Sequence, residues 1–132
     1  MLGLIEELKA LGESVPGLTR EASMALETLG GRRALVMLGA SRVRDLKKDG
    51  SSGPGNKNLS GVGVMWPNKS RSKGNYVELY VNDRDEYQMD FYNVSMRGVK
   101  KVKSFGTSKQ GLPLENIRPA FERQTGWLLG MR

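Results

Sequence analysis

The chain contains no cysteine and no histidine, and the two absences exclude whole classes of chemistry. Without cysteine there is no disulfide framework, no thiolate zinc site and no thiol nucleophile, which fits a reducing cytoplasm. Without histidine there is no Cys/His zinc site, no Ser-His or Cys-His nucleophilic machinery and no imidazole base. An enzyme built from this chain is left with carboxylates, lysine, tyrosine or a carboxylate-bound metal. The expectation is therefore a protein without catalysis, cofactor or metal. Residues 1–11 carry Glu6 and Glu7 among apolar side chains and no basic leader, so they read as neither signal peptide nor membrane span.

Two motifs are incomplete. The run 50–57, Gly-Ser-Ser-Gly-Pro-Gly-Asn-Lys, resembles a phosphate loop in its glycines. It has Asn56 where the lysine belongs, so the phosphate-cradling function is excluded. Asp83, Asp85, Glu86 and Asp90 crowd one turn, but the spacing and glycine of a calcium loop are lacking, and the turn reads as a solvated acidic one.

What is present begins with charge. A length of 132 residues fits one domain, 1–132, with a core that needs no cross-links. The net charge of +7 lies in blocks. Residues 31–75 hold ten Lys/Arg against two acids and residues 96–132 hold eight against two, whereas 1–30 and 76–95 are acidic. Blocks of one sign point to an anionic partner or to solvated faces.

Patterning then fixes the elements. Leu4, Ile5, Leu8 and Leu11 recur at helical spacing within a helical segment, 1–30. Thr19 is placed to cap a second helix whose stripe is Ala22, Ala25, Leu26 and Leu29, ended by Gly30 and Gly31. Residues 34–38 suit a helical turn or a buried strand, and 42–47 an edge strand with Arg44 and Leu46 on one side and Val43 and Asp45 on the other. A Gly/Ser/Pro/Asn loop follows at 49–58. Apolar alternation over 61–66, 75–81 and 87–94, then a basic segment 97–105, makes an antiparallel meander, 59–105. Val62, Val64, Trp66, Val77, Leu79, Val81, Tyr87, Met89 and Phe91 form its core face, joined by Ile117 and Phe121.

Gly61 and Gly63 leave one face without side chains, open to a helix, a bulge or a ligand. The last strand, with Lys100, Lys101 and Lys103 around Val99 and Val102, reads as bulged or edge-like. A C-terminal helix, 113–126, contains Pro119, so it either begins near Asn116 or bends at Arg118. Residues 127–131 form an apolar tail that folds back or makes a contact. The fold class is α+β: N-terminal helices, a meander of about five strands and a helix packed on it.

Candidate binding residues follow from the loop 66–76, where Lys69, Arg71 and Lys73 alternate with serine and asparagine between Trp66 and Tyr76. Lysine and arginine suit phosphate oxygens, and an aromatic ring can stack on an unpaired base. With Arg42, Arg44, Lys100, Lys101 and Lys103 they make a candidate nucleic-acid surface, DNA or RNA.

The segments Leu29-Gly30-Gly31, Met37-Leu38-Gly39-Ala40, Asn75-Tyr76-Val77-Glu78-Leu79, Asp85-Glu86-Tyr87-Gln88-Met89-Asp90-Phe91 and Phe121 with Thr125-Gly126 resemble a group of small uncharacterised proteins of bacteriophages and prophages. The resemblance implies a phage-type origin and a bacterial cytoplasmic setting, and no activity. Two functions remain open. One is an accessory protein that binds nucleic acid mainly through phosphates. The other is a small phage protein that modulates a host protein, such as a defence or transcription component, with occupation of a host nucleoprotein's nucleic-acid site as a variant. No membrane partner is expected.

Overall fold

The computed structural model describes residues 17–49, 59–67, 74–82, 84–107 and 110–126. The helix expected over Leu4–Leu11, most of the loop 49–58, Lys69, Arg71, Lys73, Asp83 and the tail 127–131 lie outside them.

Helices α1 (Arg20–Leu29) and α2 (Gly31–Leu38) are followed by strand β1 (Arg42–Asp45) and a single turn, α3 (Leu46–Asp49). Strands β2 (Gly61–Met65), β3 (Tyr76–Val81), β4 (Tyr87–Ser95) and β5 (Gly98–Phe105) and helix α4 (Leu114–Thr125) complete the described chain. The strands form one antiparallel sheet in the order β1-β2-β3-β4-β5. The α+β class and the meander expected from alternation are both present.

Helix α1 starts where its cap predicts. Thr19 is extended, and its hydroxyl accepts from the Ala22 amide, satisfying a donor that the first turn leaves over. Gly30 closes the helix at φ 128°. Gly31 does not prolong that stop but opens α2, so residues 34–38, ambiguous by periodicity, are helical. Helix α4 begins at Leu114 behind Pro113 and runs through Pro119, earlier than the Asn116 start suggested by the proline. Pro119 gives up one backbone donor inside the helix.

The core lies between the helices and one face of the sheet. Ala22, Ala25, Leu26 and Leu29 of α1, Ala34, Leu35 and Leu38 of α2, and Ile117, Ala120 and Phe121 of α4 meet Val62, Val64, Trp66, Val77, Leu79, Met89 and Phe91 in one cluster. Phe91 stacks on Phe121 at 6.1 Å and takes Trp66 and Phe105 edge-on. Val81 and Tyr87, expected in the core, are half-buried because they end their strands at the Asn82–Glu86 turn. That turn is made by Asn82, whose side-chain oxygen accepts from the Arg84 and Glu86 amides. It also holds Asp85 at φ 60°.

Candidate nucleic-acid interface

The second face of the sheet is polar. Strand alternation puts Arg44, Gly63, Glu78, Asp90 and Ser104 in a single row across all five strands. The row beside it is Arg42, Met65, Tyr76, Tyr92 and Lys101. Glu78 and Asp90 are buried and directly opposite one another, a placement that costs stability unless each charge is answered.

The answers are specific. Tyr76 donates to Glu78 Oε2 at 2.7 Å and accepts from Arg44 Nη1 at 3.0 Å. Tyr80 donates to Asp90 Oδ2 at 2.7 Å and Ser104 to Asp90 Oδ1 at 2.8 Å. The Lys101 ammonium stands 3.9 Å from Asp90. Among the described residues no buried side-chain nitrogen or oxygen lacks a partner, and no third acidic side chain joins the pair to make a metal-ligand group.

Burial, reinforced by the neighbouring Glu78 charge, raises the Tyr76 phenol far above its ordinary range. Burial and Asp90 do the same for Tyr80 and Tyr92. These phenols are permanent donors at neutral pH and not bases. Gly63 is what lets the Tyr76 ring lie across β2: a Cβ there would stand 2.2 Å from the Tyr76 hydroxyl oxygen. The glycine-bearing face is thus closed by a tyrosine of the same sheet rather than by a helix.

The other feature is the β4–β5 hairpin. Strand β3 stops pairing at Tyr76↔Tyr92, while β4 and β5 continue through Asn93↔Lys100, Val94↔Val99 and Ser95↔Gly98. Three further residues per strand, at about 3.4 Å each, carry the ribbon about 10 Å past the end of β3. Asn75 ties the extension at its second residue: its side chain accepts from the Val94 amide at 2.7 Å and donates to the Val94 carbonyl at 3.0 Å. At the tip, the Ser95 hydroxyl accepts from the Arg97 amide, and Gly98 turns at φ 131°. Met96 and Arg97 occupy the apex, and Met96 is fully exposed. From Asn93 to Thr107 there are four cations, Arg97, Lys100, Lys101 and Lys103, and no carboxylate. All four are exposed. An open groove of about 690 Å³ runs along the ribbon between Asn93 and Val102.

A bulge between Phe91 and Tyr92 sorts the lysines. Lys101 lies opposite Tyr92 on the polar face, 5.8 Å from its ring centre. Lys103 lies opposite Phe91 on the helix face, 5.7 Å from the Phe105 ring centre, and Lys100 opposite Asn93 shares that side.

The residues singled out from sequence therefore do not form one patch. Trp66 is 7% exposed and packs edge-on against Phe91 in the core, and Tyr76 is 0% exposed on the opposite face. Neither ring is open to a base. Arg44 is engaged by Tyr76, with its guanidinium carbon 5.8 Å from the ring centre. Arg42 and Arg44 belong to β1 and the lysines to β5, the two edges of the sheet, about 19 Å apart at usual strand spacing. The hairpin brings Lys100, Lys101 and Lys103 together with Arg97, which sequence reasoning did not include. The signal for Arg97 is the mismatch between a nine-residue β4 and a six-residue β3.

No protein family, curated protein or solved structure matches the chain. Among the described residues no helix is long and apolar enough to cross a membrane.

Proposed function

We propose that the protein is a non-enzymatic accessory protein of phage type that binds nucleic acid mainly through phosphate contacts, with the β4–β5 hairpin as its principal contact element. One observation supports this reading above the others. The hairpin outruns its neighbouring strand and exposes Arg97, Lys100, Lys101 and Lys103, and its one carboxylate, Asp90, is buried. Clustered cations on a projecting element meet a polyanion without desolvating a carboxylate, and each neutralised phosphate releases condensed counterions. Lys69, Arg71 and Lys73 extend the same reading from the β2–β3 connection. Trp66 and Tyr76 are inside the fold, so neither ring takes part by base stacking.

The test is a fluorescence anisotropy titration with labelled nucleic acid from about 50 to 200 mM salt, the range in which counterion release acts strongly. Binding is expected to be independent of sequence and to weaken steeply with salt. Changing Arg97, Lys100 and Lys103 together to Ala is expected to flatten the salt slope by about three units, near one per lost contact. The same titration with Lys69, Arg71 and Lys73 changed to Ala measures the share of that connection. Absence of binding at the low-salt end, with the protein folded, overturns the reading and leaves a host protein as the partner to seek.

A further inference from the structure

We propose that the polar face of the sheet is a docking surface for the chain's own residues 1–11, which pack on it as an amphipathic helix and make the fold three layers deep. This goes beyond nucleic-acid binding and does not depend on it.

The burial of that face demands a cover. Tyr76 and Glu78 are 0% exposed, Asp90 2% and Tyr92 3%, while α1, α2 and α4 enter the core cluster on the opposite face. A ring lying on a sheet has neighbours beneath and beside it, and only a further layer closes its outer side. Tyr76 fills the space over Gly63, yet it is itself fully covered. Arg44 reaches over the Tyr76 ring but is only half-buried. Toward β5 the face opens, with Lys101 and Ser104 exposed. The cover therefore lies over β3 and β4 and stops short of β5.

The chemistry of the cover follows from the hydrogen bonds beneath it. Glu78 and Asp90 have their donors within the sheet, so the layer above meets tyrosine rings and needs apolar volume more than further donors. Outside the described residues, the stretches 50–58, 68–73 and 108–109 contain no Val, Leu, Ile, Met or aromatic residue. The tail from Trp127 leaves the end of α4, a helix of the opposite face. Residues 1–11 carry Leu4, Ile5, Leu8 and Leu11 at helical spacing, one apolar stripe in search of a surface.

The chain also enters α1 from a suitable place. The Thr19 amide is bonded to Asp45 at the end of β1, and Lys48 of α3 donates to the Gly17 carbonyl. Residue 17 is thus held at the β1 edge of the sheet, from which the preceding chain can reach either face. Residues 12–16 span about 17 Å when extended, more than the about 10 Å between a sheet and the layer packed on it. Eleven helical residues are about 16 Å long. That covers the four buried residues, whose Cα positions span about 7 Å along the strands and 5 Å across them.

Nitration of the 132-residue chain with tetranitromethane, followed by peptide mass mapping, tests this. Half-buried Tyr87 at the end of β4 is the reactive reference, and Tyr76 and Tyr92 are expected to be protected in the parent. Leu4→Asp/Leu8→Asp is expected to raise Tyr92 nitration to the rate of Tyr87, with circular dichroism and Trp66 fluorescence showing the apolar core intact. Leu8→Ala removes volume without adding charge. It is expected to give a smaller rise in the same direction, and it decides the matter if the double variant unfolds. Glu6→Ala, off the apolar stripe, and Leu128→Asp/Leu129→Asp in the tail are expected to keep the parent's pattern. Exposure of Tyr92 by the tail variant instead overturns the proposal. Continued protection of Tyr92 in the folded Leu8 variants, or nitration in the parent as fast as at Tyr87, overturns it as well.

Discussion

The two faces of the sheet solve the same problem by opposite means. On the helix face Val62, Val64, Val77, Leu79, Met89 and Phe91 are buried by contact with α1, α2 and α4, and the gain is the removal of apolar area from water. On the other face Tyr76, Glu78, Asp90 and Tyr92 are buried to the same degree, yet two of them are carboxylates facing one another. Their burial is tolerated because Arg44, Tyr76, Tyr80, Ser104 and Lys101 satisfy them. The first face tolerates many substitutions of similar volume, whereas the second depends on particular donors. An apolar face is forgiving in identity and strict in volume, and a polar one is the reverse.

Removing volume from the first face has the largest expected effect. Phe121 is fully buried and stacks on Phe91. Phe121→Ala is expected to destabilise by about 3–5 kcal/mol through lost transfer energy and the cavity left behind. Urea unfolding measures it, and an unchanged midpoint would remove Phe121 from the centre of the core.

Removing one donor from the second face changes almost no volume and tests whether chemistry matters there. Tyr76→Phe deletes the hydroxyl that links Arg44 to Glu78. The expected loss is about 1–3 kcal/mol, the cost of a buried charged acceptor losing a donor. Tyr80→Phe is expected to cost less, because Asp90 keeps Ser104 and Lys101. If both variants matched the parent, the polar face would be packing like the apolar one.

Asp45 joins the sheet to the helices and comes next in size. Its Oδ2 accepts from the Thr19 amide at 2.6 Å and its Oδ1 from the Lys47 amide at 3.0 Å. Burial works to raise its pKa, but these backbone donors outweigh burial and hold the carboxyl below its ordinary value. The stabilisation is present above about pH 4, the unfolded value, and is lost as the pH falls through the lower folded value. Asp45→Ala is expected to cost about 1–2 kcal/mol at neutral pH, with the gap to the parent narrowing in acid. A gap that stayed constant with pH would assign the effect to packing.

The sequence was legible in unequal measure across these regions. Alternation with a period of two identifies β2, β3 and β4 and their core residues, because one side of each strand meets apolar helices. The stop at Gly30 and the cap at Thr19 are local chemistry and read directly. The polar face was visible only as a remainder, Tyr76, Glu78 and Tyr80 opposite the core set. Its network depends on which residue of β4 faces Glu78, and that register is set by the whole sheet. The same limit applies to the binding residues. Trp66 and Tyr76 flank one loop in the chain, but their positions have opposite parity, so one ring enters the core and the other the polar layer. The length by which β4 outruns β3 is likewise a property of pairing and not of either strand alone.

The smallest expected effect separates the faces by titration. Tyr76, Tyr80 and Tyr92 all have phenols raised above the ordinary value near 10. In the unfolded chain these phenols ionise as the pH passes about 10, while in the folded protein they remain protonated. The native state then binds more protons than the unfolded one, so stability is intact below the unfolded value and declines as the pH rises above it. The slope approaches about 1.4 kcal/mol per pH unit for each tyrosine held protonated. Urea midpoints between about pH 9 and 10.5 for the parent, Tyr76→Phe and Leu79→Ala isolate this from lysine titration, which all three share. Tyr76→Phe is expected to have the shallower alkaline decline, and Leu79→Ala to run parallel to the parent at lower stability. Parallel curves for all three would mean that the Tyr76 phenol titrates as freely in the fold as outside it, and the polar face would lose its distinction from the apolar one.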